Sequence, residues 1–418
     1  MYLLLGYGKG NRSIEKYFIK NNIKYLVYDD KNNNKIDIDY NRINCIIKSN
    51  GINNNHFVLE EAKKRNIKII SDLQLYYYNI NKINNHCLVT GSNGKTTIVS
   101  LLEKCLLNTI SIGNNGLPFF DYVNDSRNKI LEVSSFMLEY IDNINFKYNI
   151  ITNIYPTHLE HHKTYINYIK AKTNFLKYLN KDNYIIYNKD DVLLNRIISN
   201  YDLKKITISL YDKNATIYLK DNYIYYLDDK VININNIKLL GEHNIINIML
   251  VLGVILNIKN LKQKYKEEIY NYTGEKYRIQ IIYNNNFKII NDSKSTNFNA
   301  LSVALSSFNE NIILIVGGKR RNDNFNLLNK HLNKIKRVYC FGENKDDFYN
   351  YFINNNIECF KYETLDLLIN NMNNNTSNYS NCYYDILFSP GSVSYDQYKD
   401  FEERGEEFNK LIKNKYNF

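Results

Sequence analysis

Short apolar runs alternate with longer stretches of helical spacing along most of the chain. Residues Tyr2–Leu5 form the first apolar run, and Gly6-Tyr7-Gly8-Lys9-Gly10-Asn11 leads into a helical pattern from Ser13. A second run, Tyr25–Tyr28, ends in Asp29-Asp30. Runs recur at 86–89, 130–133, 149–154 and 184–187, and the pattern 98–107 places Ile98, Leu101, Leu102 and Cys105 on one helical face. The stretch 206–240 alternates and reads as β-rich. After Gly274, runs at 287–290, 312–316, 337–341 and 385–388 are separated by helical patterns. Strands alternating with helices predict an α/β chain with mainly parallel sheets. The longest apolar stretch, 245–256, is interrupted by Asn247 and Gly253 and predicts a buried helix.

Length then bounds the domain count. At about 150 residues per domain, 418 residues suggest two to four domains, and the breaks in pattern place three α/β domains at 1–84, 85–274 and 275–418. Hydrophobic residues make up 44% and charged ones 23%, which excludes wholesale disorder. No apolar run reaches the roughly 18 residues of a membrane span. The opening Met1-Tyr2-Leu3-Leu4-Leu5 is too short for a signal-peptide core and has no basic flank. Six cysteines without a Cys-x-x-Cys pair argue against a zinc module or disulfide scaffold and fit a reduced cytoplasm. Acids are interspersed through the +11 net charge, so the basic excess suits anionic small molecules better than nucleic acid. Only 16 Gly and 3 Pro survive in a chain drifted toward Asn, Ile, Lys and Tyr. Surviving glycines and prolines therefore mark places where backbone geometry demands them.

Two glycine turns stand out. The first, Gly6 to Asn11, lies between a strand and a helix, with Asp29 about twenty residues on. This is the Rossmann order, in which N–H groups at a helix start hold a diphosphate. The last motif glycine is replaced by Asn11, so a tight turn without a ligand stays open as an alternative. The second, Thr90-Gly91-Ser92-Asn93-Gly94-Lys95-Thr96-Thr97, also joins a strand to a helix. Its N–H groups can cradle phosphates, Lys95 can reach the β- and γ-phosphates, and the Thr96 hydroxyl can bind Mg²⁺. Val89 stands where a strict Walker loop has its first glycine. ATP is the expected ligand.

The shortened loop, together with several further segments, resembles the Mur ligase superfamily. These are Gly113-Asn114-Asn115-Gly116-Leu117-Pro118, Glu132-Val133-Ser134-Ser135-Phe136-Met137-Leu138-Glu139, Asn153-Ile154-Tyr155-Pro156-Thr157-His158 and Gly241-Glu242-His243-Asn244-Ile245-Ile246-Asn247. The serine pair, Asn291-Asp292-Ser293-Lys294-Ser295-Thr296-Asn297 and the run from Ser389-Pro390-Gly391 to Phe401 and Arg404-Gly405 resemble the branch that adds D-glutamate. The resemblance runs in order from Gly6 to Gly405. It implies a Rossmann-like N-terminal domain, a central P-loop ATPase and a Rossmann-like C-terminal domain. The implied activity is an ATP-driven amide ligation in cytoplasmic peptidoglycan precursor synthesis, joining D-glutamate to UDP-N-acetylmuramoyl-L-alanine through an acyl phosphate. The implied enzyme is a monomer acting on small molecules, with no nucleic-acid or membrane partner.

The resemblance also implies roles. Lys95, Glu132, His158 and Lys172 would be catalytic, and Thr96, Glu132, His158 and a carbamoylated Lys172 would hold two Mg²⁺ ions. Gly91, Ser92, Asn93, Gly94, Lys95, Thr96 and Thr97 would bind ATP phosphates, with Asn244, Asn247, Arg278 and Asp292 on the nucleoside. Gly8, Lys9, Gly10, Asp29, Asn114 and Ser134 would take the UDP-substrate. Lys294, Thr296, Arg321, Ser394 and Phe401 would form the D-glutamate pocket, where cations and hydroxyls suit carboxylates. On its residue type alone Lys172 would be a solvated helix lysine, with Lys170 close by.

The chain departs from the family pattern at Asn50 (for Pro), Met137 (for Gln), Thr157 (for Asp) and Arg321 (for Lys, with Lys319 as fallback). Met137 lacks the hydrogen-bonding group expected toward the muramoyl substrate. His161 and His162 read as surface or structural residues. A sister ligase, a folylpolyglutamate-type ligase or a nucleotide-binding remnant are the alternatives; retention of Lys95, Glu132, His158 and Lys172 together argues against the remnant.

Overall fold

A computed structural model describes residues 1–30, 38–80, 85–114, 116–239, 241–258, 261–308, 310–320, 324–372 and 384–418. It divides into two compact units, Met1–Tyr272 and Thr273–Phe418. The expected boundary at residue 84 falls on 81–84, outside the described residues.

The first unit carries two sheets. In the smaller, parallel strands lie in the spatial order Tyr25–Tyr28, Tyr2–Leu5, Cys45–Lys48 and Lys68–Ser71. The last two were not anticipated, because Cys-Ile-Ile-Lys and Lys-Ile-Ile-Ser carry only two large aliphatic residues each among polar neighbours. The larger sheet has nine strands, in the order Asp229–Asn233, Tyr223–Tyr226, Ile217–Lys220, Lys204–Ser209, Tyr184–Asn188, Tyr148–Ile151, Cys87–Thr90, Asn128–Glu132 and Thr109–Gly113. It is parallel except for the two hairpin pairings at the 217–233 end. That end is the alternating stretch read as β-rich. One buried cluster runs from Leu4 and Ile47 of the small sheet and Ile14 of the helix Lys9–Lys20, through Tyr76, to Leu88, Ile112 and Leu131 of the large sheet. The helix Asp72–Asn79 supplies the continuity, with Leu73, Leu75, Tyr76 and Tyr77 all buried and Tyr76 stacked on Phe119 at 5.2 Å.

The second unit has six strands, ordered Gln280–Asn284, Lys288–Asn291, Asp385–Phe388, Ile312–Gly317, Ile335–Phe341 and Glu358–Tyr362. Only the first pair is antiparallel. Both faces of the central strands are apolar, as parallel sheets covered by helices require. The whole is α/β with mainly parallel sheets, as the pattern predicts. Among the described residues no helix is long and apolar enough to cross a membrane.

The interruption at Gly253 has a packing reason. The helix Glu242–Ile255 is buried from Asn247 to Ile255 and lies so close to the large sheet that a Cβ on Gly253 would stand 2.7 Å from Ile186 Cγ2. Gly253→Ala is therefore expected to lower stability by about 1–3 kcal/mol through overpacking, outweighing the helix propensity gained. Denaturant unfolding of the variant against the parent measures it; a more stable variant would mean the helix can shift away freely.

Candidate active site

The second glycine turn sits where an α/β sheet places ligands, at the carboxyl end of Cys87–Thr90 and the start of the helix Lys95–Cys105. Gly91 and Gly94 both have positive φ, +146° and +84°. A Cβ on Gly91 would stand 1.8 Å from Thr152 Oγ1, and one on Gly94 2.5 Å from Asn247 Oδ1. Both glycines survive the drift because neither conformation nor space admits a side chain. Thr152 Oγ1 donates to the Asn93 carbonyl at 2.5 Å, and Asn153 Oδ1 accepts from the Asn93 N–H at 2.9 Å. Ser92 is held by Tyr168 (2.7 Å between hydroxyls) and by the Tyr155 backbone. Loop shape is thus imposed by neighbours before any nucleotide arrives, which preorganises its N–H groups.

Two lysines converge on this loop. Lys95 Nζ donates to the carbonyls of Gly91 (2.7 Å) and Ser92 (2.9 Å), and Lys172 Nζ donates to the same Gly91 carbonyl at 2.9 Å. Lys172 is 2% exposed and lies 5.0 Å from the Tyr168 ring centre. It is no solvated helix lysine, whereas Lys170 is exposed. Burial, reinforced by the Lys95 charge, pushes the Lys172 amine well below the ordinary lysine range.

Glu132 ends the neighbouring strand and is 2% exposed. Its Oε1 accepts from Asn114 Nδ2 at 3.1 Å, while Oε2 is buried without a hydrogen-bond partner among the described residues. A buried carboxylate oxygen left unsatisfied is costly, and a hard cation is the partner it lacks. With the half-buried Thr96 hydroxyl in the first helical turn, this oxygen fits Mg²⁺. His158 is held at φ +53°, with its side chain 47% exposed. Burial lowers its pKa, with Lys172 and Lys95 acting in the same direction against Glu160.

The remaining expected residues fall as follows. Asn247 is buried beside Gly94 and donates to Asn244 Oδ1 at 3.1 Å, so the pair forms one polar edge at the helix start. Asn114 is committed to Glu132, and the Ser134 hydroxyl caps the helix Ser135–Glu139 by accepting from the Met137 N–H. Met137 is buried in the shared core, so the exchange for Gln is accommodated by packing. His162 is buried, with a ring nitrogen 3.0 Å from Ser135 Oγ, and burial pushes its imidazole down to about 4, so it is not the surface residue expected.

In the small sheet, Gly8 precedes the helix Lys9–Lys20, and Lys9 is exposed at its start. Asp29 accepts from the Tyr7 N–H at 2.6 Å, bracing the glycine turn. Asn11 explains its own presence: buried, its Nδ2 donates to the Gly6 carbonyl at 2.7 Å and the Leu5 carbonyl at 3.2 Å, closing the turn. Gly10 faces Asp72, whose carboxyl burial pushes up to about 6. Nothing in the sequence pattern marked Asp72.

In the second unit, Lys294 Nζ pairs with Glu275 Oε2 at 2.5 Å and lies 5.9 Å from the Phe401 ring. Thr296 is half-buried and Ser394 buried, while Arg278 and Lys319 are exposed. Arg321 lies outside the described residues. Asp292 is buried, accepting from the Ile279 N–H (3.0 Å) and from Ser389 Oγ (2.7 Å), and burial pushes its carboxyl up to about 7. Arg404 had no assigned role, yet it is fully buried and its guanidinium donates to Ser293 Oγ, the Ser293 carbonyl and the Ser392 carbonyl at 2.8–3.0 Å. It ties the segment carrying Lys294 to the one carrying Ser394. Its position three residues after Phe401, on the same helical face, was the available signal.

The profile of the Mur ligase middle domain matches residues 89–255. A UDP-N-acetylmuramoylalanine–D-glutamate ligase from Oceanobacillus iheyensis is 32% identical over 372 residues, covering 87% of this chain and 82% of the relative. A ligase of the same name from Lactobacillus gasseri is 31% identical and covers 98% and 96%. Among solved structures, the UDP-N-acetylmuramate–alanine ligase of Thermotoga maritima superposes with a TM-score of 0.54 at 14% identity, covering 99% of both chains. The MurF ligase of Thermotoga maritima in complex with ADP gives 0.52 at 14% identity, covering 99% of this chain and 95% of that one. These two likenesses concern the fold.

Proposed function

Because the chain belongs to the Mur ligase family, we propose that it is the ATP-dependent ligase that joins D-glutamate to UDP-N-acetylmuramoyl-L-alanine in peptidoglycan precursor synthesis, acting in the cytoplasm as a monomer on small-molecule substrates. Relatives bearing that activity in their names span most of the chain. The observation that carries the chemistry is the convergence of Lys95 and Lys172 on one loop carbonyl beside a buried, half-satisfied Glu132.

In this reading the substrate carboxylate attacks the γ-phosphate, ADP leaves, and the D-glutamate amine displaces phosphate from the acyl phosphate. Little covalent work falls to the protein, so positioning and charge neutralisation dominate. The loop N–H groups from Gly91 to Thr97 hold the phosphates. Lys95 exchanges its loop carbonyls for phosphate oxygens and spreads the γ-phosphate charge. Thr96, Glu132, His158 and carbamoylated Lys172 would hold Mg²⁺, which neutralises the developing charge on the phosphoryl oxygens. Asn244 and Asn247 are assigned to adenine, and Arg278 and Asp292 of the second unit to the nucleotide. Gly8, Lys9, Gly10, Asp29, Asn114 and Ser134 take the UDP-substrate. Lys294, Thr296, Arg321, Ser394 and Phe401 hold D-glutamate, and Arg404 positions two of their segments.

The acceptor decides between this assignment and a sister ligase. With ATP and UDP-N-acetylmuramoyl-L-alanine present, D-glutamate is expected to drive ADP formation, while L-glutamate, L-alanine, lysine and diaminopimelate are not. A pocket that pairs with two carboxylates and orients an amine cannot satisfy all three in the mirror image. Equal ADP formation with L-glutamate or a dibasic acceptor would refute the assignment.

A further inference from the structure

A second cluster of metal-ligating groups lies just beyond His158 and takes no part in the reading above. The helix Ser135–Glu139 and the turn Leu159–His162 bring Glu139, His161 and His162 together, so that one ligand atom from each lies within 4.8 Å of the others. His161 Nε2 already stands 2.9 Å from Glu139 Oε2. The two imidazole rings are 4.7 Å apart and nearly perpendicular.

We propose that Glu139, His161 and His162 form a site for a borderline divalent cation of the Zn²⁺ or Co²⁺ type, separate from the Mg²⁺ ligands of the phosphate loop. Donor chemistry separates the two. Two imidazoles and one carboxylate suit Zn²⁺ or Co²⁺, whereas the set proposed for Mg²⁺ is dominated by oxygens, with His158 its single imidazole. Bonds of about 2.0–2.2 Å in a tetrahedron put ligand atoms about 3.4 Å apart, so the cluster has to contract by about an ångström at its widest. Rotation of the rings can supply that movement, with His162 giving up its bond to Ser135.

The surroundings favour the site. Glu139 is oriented from outside, because its other oxygen accepts from Asn54 Nδ2 at 2.6 Å, as carboxylate ligands commonly are. Phe136 packs against both histidines, with ring centres 4.5 and 5.6 Å away, and supplies an apolar wall. The Glu139 side chain is 26% exposed, which leaves the cluster open to water for the fourth position.

The test is metal titration of the purified full chain, stripped by chelator and kept in excess Mg²⁺, with Zn²⁺ followed by a competing chromophoric chelator and Co²⁺ by its visible absorption. One equivalent of Zn²⁺ is expected to bind, and Co²⁺ is expected to show the intense bands of a four-coordinate site. Glu139→Gln and His161→Ala should each weaken binding about 10- to 100-fold or more, since losing even an outer partner of a ligand does so. His158→Ala should leave it unchanged. Glu139→Gln keeps the side-chain shape, so it decides the matter if His161→Ala fails to fold. Absent Zn²⁺ binding, binding indifferent to Glu139→Gln, or binding lost with His158→Ala would each overturn the site.

Discussion

Lys95→Ala is expected to lower ATP-dependent turnover by on the order of 10²–10³ or more, the usual loss when a preorganised charge stabiliser is removed. The reason lies in where the ammonium waits. It is held within the loop by the Gly91 and Ser92 carbonyls, so it needs only to exchange partners when the γ-phosphate arrives. Removing it forfeits two charge-assisted hydrogen bonds, about 1–3 kcal/mol, offset in part because the Lys172 amine loses a nearby like charge. The variant should therefore remain folded, with a modestly lower unfolding midpoint. Phosphate release and thermal unfolding, measured on one preparation, separate the two effects. Release near the parent rate would remove Lys95 from its assigned role.

Lys172→Ala is expected to abolish turnover, and a short carboxylic acid such as acetate or formate is expected to restore part of it. Carbamate formation joins the neutral amine nitrogen to the carbon of CO₂ and releases the amine proton to solvent. The reactive form is the uncharged amine, and burial beside Lys95 favours that form far below the ordinary lysine range. The product turns a cation into an anionic oxygen ligand, which is the donor a Mg²⁺ site with Glu132 calls for. Parent activity should accordingly rise with dissolved bicarbonate. If Lys172 instead contacted phosphate as a cation, an added amine would rescue the Ala variant and a carboxylic acid would not. The sign of the charge that restores turnover is the readout, and amine-only rescue would discard the carbamate.

Local information determined more of this protein than its drifted composition suggests. The phosphate loop was legible because glycine and lysine between a strand and a helix are a local requirement, and Gly91 and Gly94 persist where no side chain fits. The parallel α/β class was legible because buried strands and amphipathic helices leave their periods in the sequence. The strands Cys45–Lys48, Lys68–Ser71, Thr109–Gly113, Gln280–Asn284 and Glu358–Tyr362 were not, since each breaks its apolar positions with polar residues within four or five positions.

Tertiary structure alone decided which charges are buried and what they face. Nothing local distinguishes Lys172 from Lys170, two positions away on one helix. Their 200° separation around the axis puts one under the phosphate loop and the other in water. Asn11, Asp72 and Arg404 gain their roles from partners far along the chain or folded back over them: strand-end carbonyls, a glycine turn, and two serine segments. A side chain's charge state depends on its solvation and its neighbours, and both are set by packing between segments that the sequence keeps apart.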